Sequence, residues 1–183
     1  MKNLQWGGRF NEAPDAELIA FGSSLNEDLV LAPFDVECSR GHVVALRGGG
    51  ILSLEHGEAL LHALNAVGKE IASGAFESFA RAGGYEDIHG AIDARVRELA
   101  GEAGASLHAG RSRNDQVTTT LALYARNRAK SGVKIARGIA KHLIERAQEE
   151  LVNETLLAAT THWQPAQPVL VAFWLGALAE MFA

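Results

Sequence analysis

At 183 residues the chain is about one domain long, or one domain with part of another, and its net charge of −5 argues against the basic face that a nucleic-acid partner requires. A single cysteine, Cys38, excludes an internal disulfide framework and fits a reducing cytosol. The N-terminus MKNLQWGGRF lacks the roughly 7–15-residue apolar stretch of a secretory signal, so the composition predicts a soluble, cytoplasmic protein.

In chain order, the first 25 residues read as mostly irregular, punctuated by Gly7, Gly8, Pro14 and Gly22. A helix is predicted over 34–47, with Val36, Val43 and Leu46 on one face. RGGG stops it, because each glycine gives up roughly 1 kcal/mol of helix propensity. Ser53 is a good N-cap for the next helix, where Leu60, Leu64, Val67 and Ile71 follow at helical spacing. Gly74 sits where a C-terminal glycine belongs. The polar loop GGYEDIHG then leads to a short helix with Ile92, Val96 and Leu99, ended by Gly101.

From about Ser112 to Val152 the pattern is helical again, with Ala136, Ala140, Leu143, Ala147 and Leu151 in phase. The irregular LLAATTHWQPAQP follows. The last stretch, VLVAFWLGALAEMFA, is apolar on every side, with Pro168 placed as its first helical residue. It is shorter than the roughly 20 apolar residues of a bilayer span, so no membrane contact is expected. A helix apolar all round belongs inside a bundle, and its arrival at the end of the sequence suggests the front part of a longer protein. No segment alternates with period two over a useful length. The fold class is therefore all-α: an N-terminal helical domain over 1–111, then over 112–183 the first part of a long central helical bundle.

Three polar constellations carry the chemistry. GRSRNDQVTTT, 110–120, gathers hydrogen-bonding side chains at a helix start. Ser112 and Asp115 have capping-box spacing, but capping leaves Arg111, Arg113, Asn114 and Gln116 without a purpose. A helix N-terminus with arginine forks suits a carboxylate or phosphate. In EDIH, 86–89, Asp87 could cap a helix beginning near Gly90 and His89 could be a polar loop residue. A metal site would need further ligands, and none is near in sequence, so no metal is expected. TTHWQPAQP, 160–168, places Thr161, His162, Gln164 and Gln167 before the most apolar helix. A histidine titrates near neutral pH and can move protons, although a structurally held histidine is the commoner case.

WGGRF (6–10), EDIH, GRSRNDQV and THWQPAQP together resemble, in order and spacing, the motifs of argininosuccinate lyase in the fumarase/aspartase superfamily. The similarity runs from Trp6 to the last residue. It implies cleavage of argininosuccinate into arginine and fumarate by elimination, the last step of arginine biosynthesis, without metal or redox cofactor. By the same resemblance His162 is the acid/base histidine, and Ser24, Asn114 and Thr161 bind substrate. Ser112 and Arg113 complete a dicarboxylate cradle, while Asp28 and Asp87 are candidates for the guanidino side. The resemblance also implies a homotetramer whose sites draw on three chains. The family's GSSxMPQKxNP loop, with its proton-transfer serine, is not in this sequence, so the chain alone is expected to be inactive. A non-catalytic helical protein on the same scaffold, as in the lens crystallins of this family, stays open as the alternative.

Overall fold

A computed structural model describes residues 15–183; the WGGRF motif lies outside the described residues. The chain divides into two compact units, one ending at Ala125 and the other spanning Arg126–Ala183. In the first unit α1 (Ala16–Gly22), α2 (Leu25–Asp28) and a 3-10 turn (Leu29–Leu31) lead into α3 (Ala32–Gly48), α4 (Leu54–Ser73), α5 (Ala75–Gly83) and α6 (Ile88–Ala100). A second 3-10 segment, Gly101–Ser106, precedes the 40-residue α7, Arg113–Val152.

Local sequence signals set most of these boundaries. The Ser53 hydroxyl accepts the backbone N–H of His56 and so opens α4. Gly74 closes it at φ 80°, a left-handed conformation that costs glycine little. The Asp87 side chain accepts the N–H of Gly90 at 2.6 Å and starts α6. Ser112 and Asp115 cap α7 reciprocally, the Ser112 hydroxyl taking the Asp115 N–H and the Asp115 carboxylate taking the Ser112 N–H. In α1, by contrast, a segment expected to be irregular is helical, because the Asp15 carboxylate accepts the N–H of Glu17.

The core of the first unit lies where α3, α4 and α6 pack together. Val43, Leu60, Leu64, Val67, Ile88, Ile92 and Val96 are fully buried there. Each such aliphatic side chain contributes about 1.5–3 kcal/mol relative to exposure. Ile71 is only partly buried against this core, and Leu99 is exposed. Phe34 of α3 meets Tyr124 of α7 edge-on, with ring centroids 5.6 Å apart.

In the second unit, the segment expected to be irregular forms a hairpin. β1 (Leu156–Leu157) pairs antiparallel with β4 (Val169–Leu170), and β2 (Thr160–Thr161) with β3 (Gln164–Pro165). Bonds from Ala166 N–H to Ala159 O and from Val171 N–H to Thr155 O extend the pairing on either side. The apolar α8 spans Val171–Glu180. It starts three residues after Pro168, because Val169 and Leu170 are spent on β4. No helix among the described residues is long and apolar enough to cross a membrane.

Candidate active site

Ser24 and Asp28, one helical turn apart, meet the distant segment that carries Asp87 at one corner of the first unit. The Ser24 N–H and the Ser23 hydroxyl both donate to the carbonyl of Glu86, at 2.9 and 3.0 Å. That fixes the start of α2 beside the EDIH segment. The Ser24 hydroxyl donates to the Asp28 carboxylate one turn later. The corner thus offers two carboxylates and a hydroxyl, which suits a cation with several N–H donors.

The second group sits on the first turn of α7. Ser112 and Asn114 are exposed and Arg113 is half-buried. With Ser112 as cap, the N–H groups of Arg113 and Asn114 have no partner within the helix. The positive end of a 40-residue helix lies at this point. Donors of this kind hold a carboxylate and stabilise charge that grows on it. Hydrogen bonds from Ser112, first its N–H and then its hydroxyl, hold the exposed Asp115 carboxyl below its usual range.

Gln116 departs from the outward cradle suggested by the sequence. It is 1 % exposed and faces inward. Its amide nitrogen donates to both oxygens of Asp35, at 2.8 and 3.0 Å, and its carbonyl accepts from Arg113 Nη1 at 3.0 Å. Asp35 is fully buried on α3 and also pairs with His89 Nδ1 at 3.0 Å and with the Ser39 hydroxyl at 3.3 Å. His89 is therefore a buried residue of α6 rather than a loop residue. Arg111 Nη1 donates to Ser39 at 3.2 Å, which places a guanidinium against the same network. Sequence reasoning missed this inner layer. Its one visible signal was Asp35, a charged residue on the same helix face as Val36, Val43 and Leu46.

Arg111 also acts on its surroundings. Burial pushes the Cys38 thiol up, and Arg111 partly offsets this. Burial, then Arg111, lowers the His42 imidazole, against the raising effect of a 2.9 Å bond between Nε2 and the Ala109 carbonyl.

Thr161 and His162 lie in the second unit. Thr161 ends β2 and pairs with Gln164, so His162 and Trp163 form a two-residue turn with φ of 45° and 65°. Both central residues are left-handed, as a type I′ hairpin turn requires. Neither is glycine, and non-glycine residues held in this region cluster at functional sites. Among the described residues, no group of three or more His, Cys, Asp or Glu side chains is arranged to hold a metal ion.

Residues 8–183 match the model of a lyase family. The chain belongs to that family. It is 40% identical over its full length to argininosuccinate lyase from Chloroflexus aggregans and 39% identical over 99% of its length to that of Thermus thermophilus. It spans about 38% of the length of these two relatives. An EDDS lyase solved in complex with formate matches 84% of the chain at TM-score 0.67 and 24% identity, over 29% of its own length. An EDDS lyase variant with bound fumarate matches 94% of the chain at TM-score 0.68 and 22% identity, over 33% of its own length. The two solved structures place the chain in their helical fold.

Proposed function

We propose that the chain forms the N-terminal part of a cytoplasmic lyase that cleaves argininosuccinate to arginine and fumarate by acid–base elimination. The observation that carries this is the α7 start. A half-buried arginine fork, an exposed asparagine and free helix N–H groups are grouped there, as a dicarboxylate substrate needs. Arg113, Ser112 and Asn114 take a substrate carboxylate. As the proton leaves the neighbouring carbon, the charge growing on that carboxylate is met by donors already in place. Ser24, Asp28 and Asp87 take the guanidino side, where carboxylates match the N–H donors. Thr161 binds substrate, and His162 at the tip of its turn transfers a proton. Neither a metal nor a redox cofactor is needed for this chemistry. The exposed apolar side chains of residues 126–183 support assembly as a homotetramer.

In a full-length lyase carrying these residues, His162→Asn should lower kcat by roughly 10²–10⁴ with KM little changed, because proton transfer acts in the transition state. Fumarate release measures it. A near-normal kcat would refute the assignment.

A further inference from the structure

The structure assigns a positioning role to Asp35 and Gln116: they fix the Arg113 guanidinium in place for a substrate carboxylate. This rests on the functional reading above and deepens it.

Donor and acceptor chemistry sets the direction of the chain of bonds. An amide side chain can usually turn over, exchanging its oxygen and nitrogen. Gln116 has no such freedom. Asp35 presents two carboxylate oxygens to it, at 2.8 and 3.0 Å, and these accept from a donor. The amide nitrogen is therefore held on Asp35, and the carbonyl oxygen must face the other way. That oxygen meets Arg113 Nη1 at 3.0 Å. Asp35 is itself fixed by His89 Nδ1, which must donate to it, and by Ser39. Asp35, Ser39, Gln116 and His89 are 0, 0, 1 and 3 % exposed.

Four polar side chains buried together are a costly way to fill space, since an apolar cluster of similar shape would cost less. Through Gln116 they lead outward to the half-buried guanidinium of Arg113 on the first turn of α7, while Arg111 bonds Ser39 of the same network. An unrestrained arginine loses much rotamer freedom when it grips a ligand, and one already held loses less. A site-bearing side chain fixed by a second layer of bonds is also held to the narrow geometry that binding and catalysis require.

The test is a double-mutant cycle in a full-length lyase carrying these residues, with Arg113→Lys as a parallel arm. Asp35→Asn sets two amides against each other, and Gln116→Glu sets two carboxylates. Combined, they exchange the partners: the new amide donates to the new carboxylate, whose other oxygen still faces Arg113. Each single change is expected to raise KM for argininosuccinate by about 10- to 100-fold, the range for a charge-assisted bond. The pair should return to within about threefold of wild type. A loss of folded protein alone would lower apparent kcat at unchanged KM. If a single variant does not fold, Gln116→Met, which removes the Arg113 contact without adding charge, takes its place. Unchanged KM in the single variants, with KM raised in Arg113→Lys, overturns the positioning role and leaves the functional reading standing. An exchange pair no better than its singles overturns it as well. Unchanged KM in Arg113→Lys itself sinks the reading of the site, and the positioning role with it.

Discussion

The two units solve the same problem in opposite ways. Up to Ala125 the chain closes a core of its own, with the fully buried aliphatics of α3, α4 and α6 around it. From Arg126 onward only Ala140 and Ala179 are buried hydrophobics, while Val133, Ile135, Ile144, Leu151, Phe173 and Trp174 are exposed. Similar apolar content thus produces a finished core in one region and an unfinished surface in the other. The difference lies in spacing. In α4, leucine and valine repeat on one face with polar residues opposite. In α7 the least exposed face carries alanine at 136, 140 and 147 with Leu143 among them, while Val133, Ile135, Ile139, Ile144 and Leu151 are exposed. A mostly small inner face with large aliphatics exposed outside it describes a helix made for further neighbours.

Core truncation should expose that contrast most strongly. Ile92→Ala, at a fully buried position, is expected to cost about 2–5 kcal/mol. Ile135→Ala, at a side chain 64% exposed, should stay within about 0.5 kcal/mol. Urea unfolding followed by circular dichroism compares the two. Equal costs would mean that the second unit is as well packed as the first.

Glycines sharpen the contrast at smaller energies. A Cβ at Gly104 would lie 2.6 Å from the Cα of Arg97, a backbone atom that cannot step aside. Gly104→Ala should therefore destabilise by about 1–3 kcal/mol. Gly138 lies within α7, and a methyl group added there would meet nothing within 4 Å. Gly138→Ala should stabilise by roughly 0.4–1 kcal/mol. Thermal melting reads both signs, and two shifts of the same sign would contradict this picture.

The turn at 162–163 tests the second unit from within. Trp163 is 95% exposed and held at φ 65°, which costs a non-glycine residue roughly 1 kcal/mol. Trp163→Gly should relieve that cost and slow hydrogen exchange of the Ala166 amide, bonded across the hairpin to Ala159, by about fivefold. Faster exchange would show that the indole supports the turn.

Features set by neighbouring residues were legible in the sequence. The caps at Ser53, Asp87 and Ser112 and the stop at Gly74 need only a few residues to be recognised. The hairpin was not, because its strands are two residues each and His162-Trp163 lacks the Asn-Gly signal of such turns. The displaced start of α8 follows from the same omission. Of the candidate site residues, Ser24 and Asp28 are joined to the segment of Asp87 through the Glu86 carbonyl, which is distant in sequence. The inward turn of Gln116 depends on Asp35, 81 positions away, and no local pattern carries that information.

The smallest expected effect concerns protons inside the first unit. Burial and the Arg111 guanidinium lower the His42 imidazole below its ordinary value of 6.5, with His108 adding slightly and the Ala109 bond opposing. The folded chain then binds this proton less readily than the unfolded chain. Its contribution to stability is complete above 6.5 and is lost as pH falls through 6.5 toward the folded value. His42→Gln keeps an N–H able to reach the Ala109 carbonyl but carries no titrating group. Between pH 7.5 and about 5, the urea midpoint of the wild-type chain should therefore fall further than that of the variant. Parallel falls would show that His42 titrates alike in both states, and that Arg111 acts on Ser39 and the buried network without disfavouring charge at its neighbour.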